Sequence, residues 1–337
     1  MITNFENNLT QIHRQGGNVI LSAEGLCRIV VSSGGTRLTS DLFLESIDKL
    51  RDEWDMTLVV GYRRYFEWIV SAYNSLIKVK KGLPNWLWPH LQDKSDPPEM
   101  EKMIQFRYWY KGLQNRTAWS STHYNWAKFL VGRYHPTDWT IRRYKRRFGQ
   151  DFKVKLYNMH QEGDIFANFA CHAFNDAGTF CSILKKEEGK KAPRMNPTRP
   201  IEYDRLIMKA YKDGILFTPR SRERTRQITG EKLKNIEKNH ELKYLCLEKE
   251  EAEQLLKLSI EYEKKVYRQY FPLPENKKSR AAYFKKLEAS HRSSFNEYLL
   301  SHKFCNWDVD SILQNDIYVV DFLRSMNNYQ RMHTDGK

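Results

Sequence analysis

The sequence predicts an α/β protein: a parallel sheet flanked by helices, followed by a largely helical C-terminal half. Three observations carry this reading. Short β-branched runs such as Met56–Val60 alternate with amphipathic helical stretches in the first half, and strands alternating with helices form parallel sheets under helical cover. Beyond about residue 200 the pattern becomes long, charge-rich segments of helical period. No internal repeat and no sustained heptad breaks either half. The chain therefore reads as one mixed domain, residues 1–337, with its α/β part at about 15–185 and its helical part at about 200–330.

Composition bounds the function without choosing it. Hydrophobic residues make up 40% of the 337 and aromatics 13%, with 9 Trp, enough for a substantial core. Lys and Arg exceed Asp and Glu by 56 to 41, a net charge of +15. Such a field attracts nucleotides, sulfated glycans, nucleic acid or anionic membranes. No apolar run approaches the roughly 20 residues of a membrane-spanning helix, and Met1-Ile-Thr-Asn opens no signal peptide. As written, the chain reads as soluble and cytoplasmic. The 5 cysteines lack zinc-ligand spacing and are too few for a disulfide scaffold; Cys171 and Cys181 can pair in an oxidising compartment. Two N-x-[ST] sequons, at Asn8 and Asn115, fit a secretory lumen but are common by chance.

Taken in order, residues 1–14 read as a helix ending at Gly16-Gly17. Asn18–Leu21 is a short strand, and Ser22-Ala23-Glu24 follows at its C-terminal end, with Ser22 placed to N-cap a short helix. Ser32–Thr36 is a turn, and Ser40–Asp52 is a helix with Leu42, Leu44, Ile47 and Leu50 inward. Met56–Val60 is a buried strand and Gly61-Tyr62 a turn. From Tyr65 the apolar Phe66, Ile69, Val70 and Tyr73 fall at helical spacing, which sets Arg63 and Arg64 at a helix N-terminus. Free amides, the positive helix end and guanidinium forks favour a phosphate there. Ser71, eight residues after Arg63, lies about two turns on, so one phosphate can be held between them. A strand–turn–helix with a basic cap is the bland alternative.

Lys78–Pro84 breaks the pattern, and a Trp-rich section follows with helices expected at about 99–113 and 122–131. Its tryptophans are candidates for stacking on sugar rings, although tryptophan is more often core. Trp139–Phe148 is a basic helix closing on Gly149, Phe152–Tyr157 a strand, and Gly163–Phe174 a helix. His160 follows that strand and can face the same edge as Arg63; a structural histidine is the simpler reading. Lys185–Arg199 is a Lys/Pro-rich loop, Ile201–Asp213 a helix, and Arg220–Arg226 a basic stretch. Leu242–Phe271 reads as one long helix, Lys278–His302 as another, and Trp307–Met326 as the last, with a capping Asp.

The segment YRRYFEWIVSAYN resembles the 3′-phosphate-binding segment of the sulfotransferases that use 3′-phosphoadenosine-5′-phosphosulfate, and is closest to a divergent algal and microbial-eukaryote group. In that family a strand leads to an Arg, with a Ser eight residues later; Arg63 and Ser71 match. NVILSAEGL resembles the group's Ser-x-Glu after an early strand, and FGQDFKVKLYNMH…NFACHAF…FC its late strand and helix. The resemblance covers about residues 18–80 and 140–185, and more loosely KFCNWDVDSILQNDIYVVDFL. It implies a P-loop-like fold and transfer of a sulfuryl group to a hydroxyl acceptor, with a carbohydrate the expected one. The nucleotide is co-substrate, bound by Arg63 and Ser71, Glu24 is the base, and no metal is needed. The family's Lys/Gly/Thr-rich donor loop should precede Ser22-Ala23-Glu24, and the chain starts too late to hold it. Ser32–Arg37 resembles an anion nest but stands on the wrong side of Glu24. A truncated or non-catalytic homologue that binds nucleotide or anionic glycan is therefore an alternative. If an upstream anchor exists, the Golgi lumen or secretory pathway is expected. A basic nucleic-acid-binding protein using Arg142–Arg147 and the Lys185–Arg199 loop is a further alternative, without any nucleic-acid-binding signature in its favour.

Overall fold

A computed structural model of the chain describes residues 2–15, 45, 47–77, 105–115, 136–160, 169, 182, 201–216, 233, 236 and 240–332. Among the described residues the elements are α1 (Ile2–Arg14), β1 (Leu58–Tyr62), α2 (Tyr65–Ile77), α3 (Phe106–Asn115), α4 (Pro136–Phe148), β2 (Val154–Asn158), α5 (Ile201–Lys212), β3 (Tyr244–Cys246), α6 (Lys249–Tyr270), α7 (Lys277–Leu300), β4 (Cys305–Trp307), α8 (Val309–Asn315) and α9 (Ile317–Met332). The protein is mixed α/β and mostly helical. It contains a small parallel pair, β1–β2, and an antiparallel pair, β3–β4. The chain divides into two compact units: Met1–Tyr65, Leu113–Pro193 and Lys257–Ala289 form one, and Phe66–Gly112, Arg194–Leu256 and Ser290–Lys337 the other.

In the first unit, β1 and β2 run in register from Leu58↔Val154 to Tyr62↔Asn158. Their entry ends supply Leu58 and Val154 to an aromatic cluster of Tyr144, Phe148 and Phe152. Their exit ends supply Tyr62 and Leu156 to a second cluster around Val266 and Tyr267. Parallel strands need cover of this kind because both their faces are apolar. Helix α4 stops where the sequence places its end: Gly149 takes φ +104°, and a Cβ there would meet Asp151 Oδ1 at 2.5 Å. Strand β1 lies two residues later than the sequence predicts, so Gly61-Tyr62 is strand rather than turn. The ladder decides this, because the Met159 N–H still donates to the Tyr62 carbonyl at 3.1 Å.

In the second unit, a core of Tyr203, Leu206, Ile207, Leu233, Ile312, Val319 and Leu323 gathers α5, α8 and α9. Phe66 has the rings of His291, Phe295 and Tyr298 each 5.1 Å away, edge-on contacts that favour a fixed geometry. Two expected helices are corrected here. The single helix over Leu242–Phe271 is β3 followed by α6, and Trp307–Met326 is the end of β4 followed by α8 and α9. Strand β3 forms because Tyr244 pairs with Trp307 and Cys246 with Cys305, and those two cysteines form a disulfide. Asp308 accepts the Ser311 N–H at 3.2 Å and Asp316 the Val319 N–H at 3.1 Å. Each carboxylate caps the helix after it, which cuts the segment in two. Asn306 of β4 accepts the Phe106 N–H, donates to Tyr73 Oη at 3.0 Å and to Glu202 at 2.8 Å. One buried amide thereby ties β4 to α2, α3 and α5.

The first turn of helix α6 is capped by one of its own carboxylates. The Glu248 N–H donates to Glu251 Oε2 at 2.8 Å, while Arg107 and Lys111 of α3 also bind Glu251. The strand expected at Asn18–Leu21, the helix at 122–131 and the pair Cys171 and Cys181 lie outside the described residues. Among the described residues no helix is long and apolar enough to cross a membrane.

Two outcomes test this account. The Cys246–Cys305 bridge closes a loop of sequence separation 59, so the double Cys→Ala variant should lose about 3–4 kcal/mol, read as a lower urea midpoint under oxidising conditions. The second concerns Glu251. Burial raises its pKa, but hydrogen bonds from Lys111, the Glu248 amide and Arg107 outweigh that and hold it below the ordinary glutamate value. A depressed folded-state pKa gives stability present above the unfolded value and lost as pH falls through the folded one. Urea midpoints measured from about pH 6 to about pH 3 should fall less steeply in Glu251→Gln than in wild type.

Candidate functional site

Open parallel sheets gather their ligands at the C-terminal ends of the strands. In the first unit that edge consists of Tyr62, Arg63 and Arg64 after β1, and Asn158, Met159 and His160 at the end of β2. The first turn of α4 is fixed beside it by a hydrogen bond from Thr137 Oγ1 to the Gly61 carbonyl at 3.4 Å.

The two arginines do different work. Arg64 is 4% exposed and its Nε donates to Glu263 Oε1 on α6 at 3.3 Å. Glu263 is 1% exposed, so each charge neutralises the other out of water. The Arg64 N–H donates to His160 Nε2 at 3.0 Å, which requires a neutral imidazole with its proton on Nδ1. The His160 N–H in turn donates to Asn158 Oδ1 at 3.0 Å, and Asn158 Nδ2 donates to Tyr267 Oη at 2.7 Å. Burial, then the nearby Glu263 carboxylate, pushes the Tyr62 hydroxyl well above its ordinary pKa, and the same two causes raise Tyr267. Both phenols stay protonated at working pH. Arg63 is half-buried and, among the described residues, has no carboxylate or other acceptor. Arg64 is thus structural, and Arg63 is the guanidinium that can take a ligand.

A second polar group sits on α4. Asp138, 1% exposed, accepts from Tyr270 Oη at 2.5 Å and from Arg142 Nε at 2.9 Å. Burial and this carboxylate hold the Tyr270 hydroxyl above its ordinary pKa. Arg142 is therefore spoken for, which removes one cation from the basic stripe of Arg142–Arg147. Arg143 lies over Trp139 at 5.2 Å and Arg147 faces Asp48 at 3.8 Å.

Of the residues predicted for the site, Arg63 stands at the strand edge as expected. Ser71 is exposed on α2, about two turns from that helix's start. Because α2 begins only at Tyr65, helical periodicity does not relate Ser71 to Arg63. Glu24 and Ser32–Arg37 lie outside the described residues. His160 is at the edge, bonded to the turn itself. Sequence reasoning missed Glu263, which carries no local signal because it sits in a helix rich in Glu and Lys. Among the described residues no group of three or more His, Cys, Asp or Glu is placed to hold a metal ion.

No family model matches the chain, and no curated protein or solved structure is significantly similar to it. What the site does must be argued from its own residues.

Removing one member of the Arg64–Glu263 pair leaves the other buried and uncompensated. Glu263→Ala should cost about 3–5 kcal/mol, and the double variant Arg64→Met, Glu263→Leu far less. Urea unfolding of the two singles and the double checks this as a double-mutant cycle.

Proposed function

We propose that the chain is a sulfotransferase-type protein that binds 3′-phosphoadenosine-5′-phosphosulfate through the β1–α2 turn. The observation that carries this is Arg63, a half-buried guanidinium at the C-terminal edge of a parallel strand pair, with no intramolecular acceptor among the described residues. A guanidinium so placed suits the 3′-phosphate, whose oxygens it can bind as a fork. The amides at the start of α2 add to that field. Ser71 is assigned to the same phosphate on the family spacing alone.

In the proposed reaction the acceptor hydroxyl oxygen attacks sulfur while the bond from sulfur to the 5′-phosphate oxygen breaks. The base, assigned to Glu24, takes the hydroxyl proton, and 3′-phosphoadenosine-5′-phosphate leaves with the electron pair. The net charge of +15 favours an anionic nucleotide and suits a carbohydrate acceptor that is itself acidic. The Cys246–Cys305 bridge supports a secretory or Golgi lumen, since such bonds persist in oxidising compartments.

Calorimetric titration with 3′-phosphoadenosine-5′-phosphate tests the reading. Wild type should bind with a dissociation constant on the order of 1 μM, and Arg63→Ala should weaken binding by about tenfold or more, with Ser71→Ala weakening it less. A folded protein that does not bind, or binding indifferent to both substitutions, overturns the assignment. Tight binding to nucleic acid with a steep salt dependence instead would favour a nucleic-acid partner.

A further inference from the structure

We infer that His160 is a positioning residue for the Arg63 anion site, fixing the peptide that joins Arg63 to Arg64; this rests on the phosphate reading above. The amide of Arg64 belongs to the same peptide plane as the Arg63 carbonyl. When that N–H is held on His160 Nε2 at 3.0 Å, the rotation of the peptide is set, and with it the direction in which the Arg63 side chain leaves the backbone. The other side of the turn is clamped by Arg64 Nε on Glu263 at 3.3 Å. The histidine is itself anchored, its own N–H on Asn158 Oδ1 and its ring edge-on to Tyr62 at 6.0 Å.

A histidine in this place differs from a plain structural acceptor because it titrates. An unperturbed imidazole changes charge between about pH 5 and 8, and a protonated ring carries N–H on both nitrogens. Nε2 can then no longer accept, and two donors face one another. Its neighbours include Arg64 and Tyr62, from the turn and from β1, and Asn158 from β2; Glu263 and Tyr267 of α6 bond to those neighbours in turn. The carboxylate in this chain of contacts, Glu263, is already bound to Arg64. Acid therefore releases the turn, and anion binding at Arg63 falls with it. A His160→Gln side chain keeps an oxygen acceptor near the Nε2 position and does not titrate. His160→Ala removes the acceptor.

The test is calorimetry of the full chain with 3′-phosphoadenosine-5′-phosphate between about pH 8 and pH 5, together with hydrogen exchange at the Arg64 amide. At pH 8, His160→Ala should bind roughly tenfold more weakly than wild type, and His160→Gln should recover to within about threefold. The phosphate takes up its own second proton near pH 6, so the glutamine variant is the control. Wild-type affinity should fall more steeply with acid than that of His160→Gln. The Arg64 amide should be protected in wild type and His160→Gln and exposed in His160→Ala. Equal affinities of wild type and His160→Ala, or identical pH profiles for wild type and His160→Gln, overturn the inference. An unprotected Arg64 amide in wild type overturns it as well. Wild type that fails to bind while that amide stays protected instead overturns the phosphate reading, and the positioning role falls with its ligand.

Discussion

The β1–α2 turn depends on a buried guanidinium being neutralised. A charge taken out of water is tolerated only with a partner of good geometry and further hydrogen bonds, and Arg64 has both in Glu263 and, through its backbone, His160. That arrangement fixes where β1 ends, how α2 begins and which of two adjacent arginines faces outward. Tyr62 and Tyr267 pack together in the same unit, and burial, then the Glu263 carboxylate, holds both hydroxyls above their ordinary pKa. Arg63 inherits its position from these neighbours and shares none of its own charge with them.

The second unit follows the same logic with a neutral group. Asn306 sits on a short strand, and its side chain meets Phe106, Tyr73 and Glu202 at once. An amide has both donors and an acceptor, so it can serve partners of both kinds where a charged side chain could not. The disulfide one residue away holds the strand pair in register. Trp307 on the other side packs against Tyr203, while its carbonyl accepts from Arg205 at 3.4 Å. A strand of three residues is stable here because its polar groups are satisfied and its ring is buried.

Several arginines among the described residues are already engaged. Arg142, Arg147, Arg107 and Arg64 all meet carboxylates, and Arg51 and Arg143 lie over aromatic rings. The net charge of +15 still gives a field suited to drawing in an anion.

The sequence by itself determined the elements whose signal is local. The end of α4 at Gly149, the amphipathic run of α2 and the helix at Ile201–Lys212 were legible because glycine conformation and helical period are properties of neighbouring residues. The placement of Arg63 just after a short strand was legible for the same reason, although that strand is half-buried rather than buried. Tertiary structure decided the rest. β3 and the last residue of β4 read as helix in isolation and are strand because the two segments pair with each other across a long separation. The division of labour between Arg63 and Arg64 was invisible, since it depends on Glu263, whose partner lies 199 residues away. His160 was visible as a candidate, but only the distance from its ring to the Arg64 amide gives it a task. Local chemistry is written along the chain; which charge is buried, and beside what, is settled only when distant segments meet.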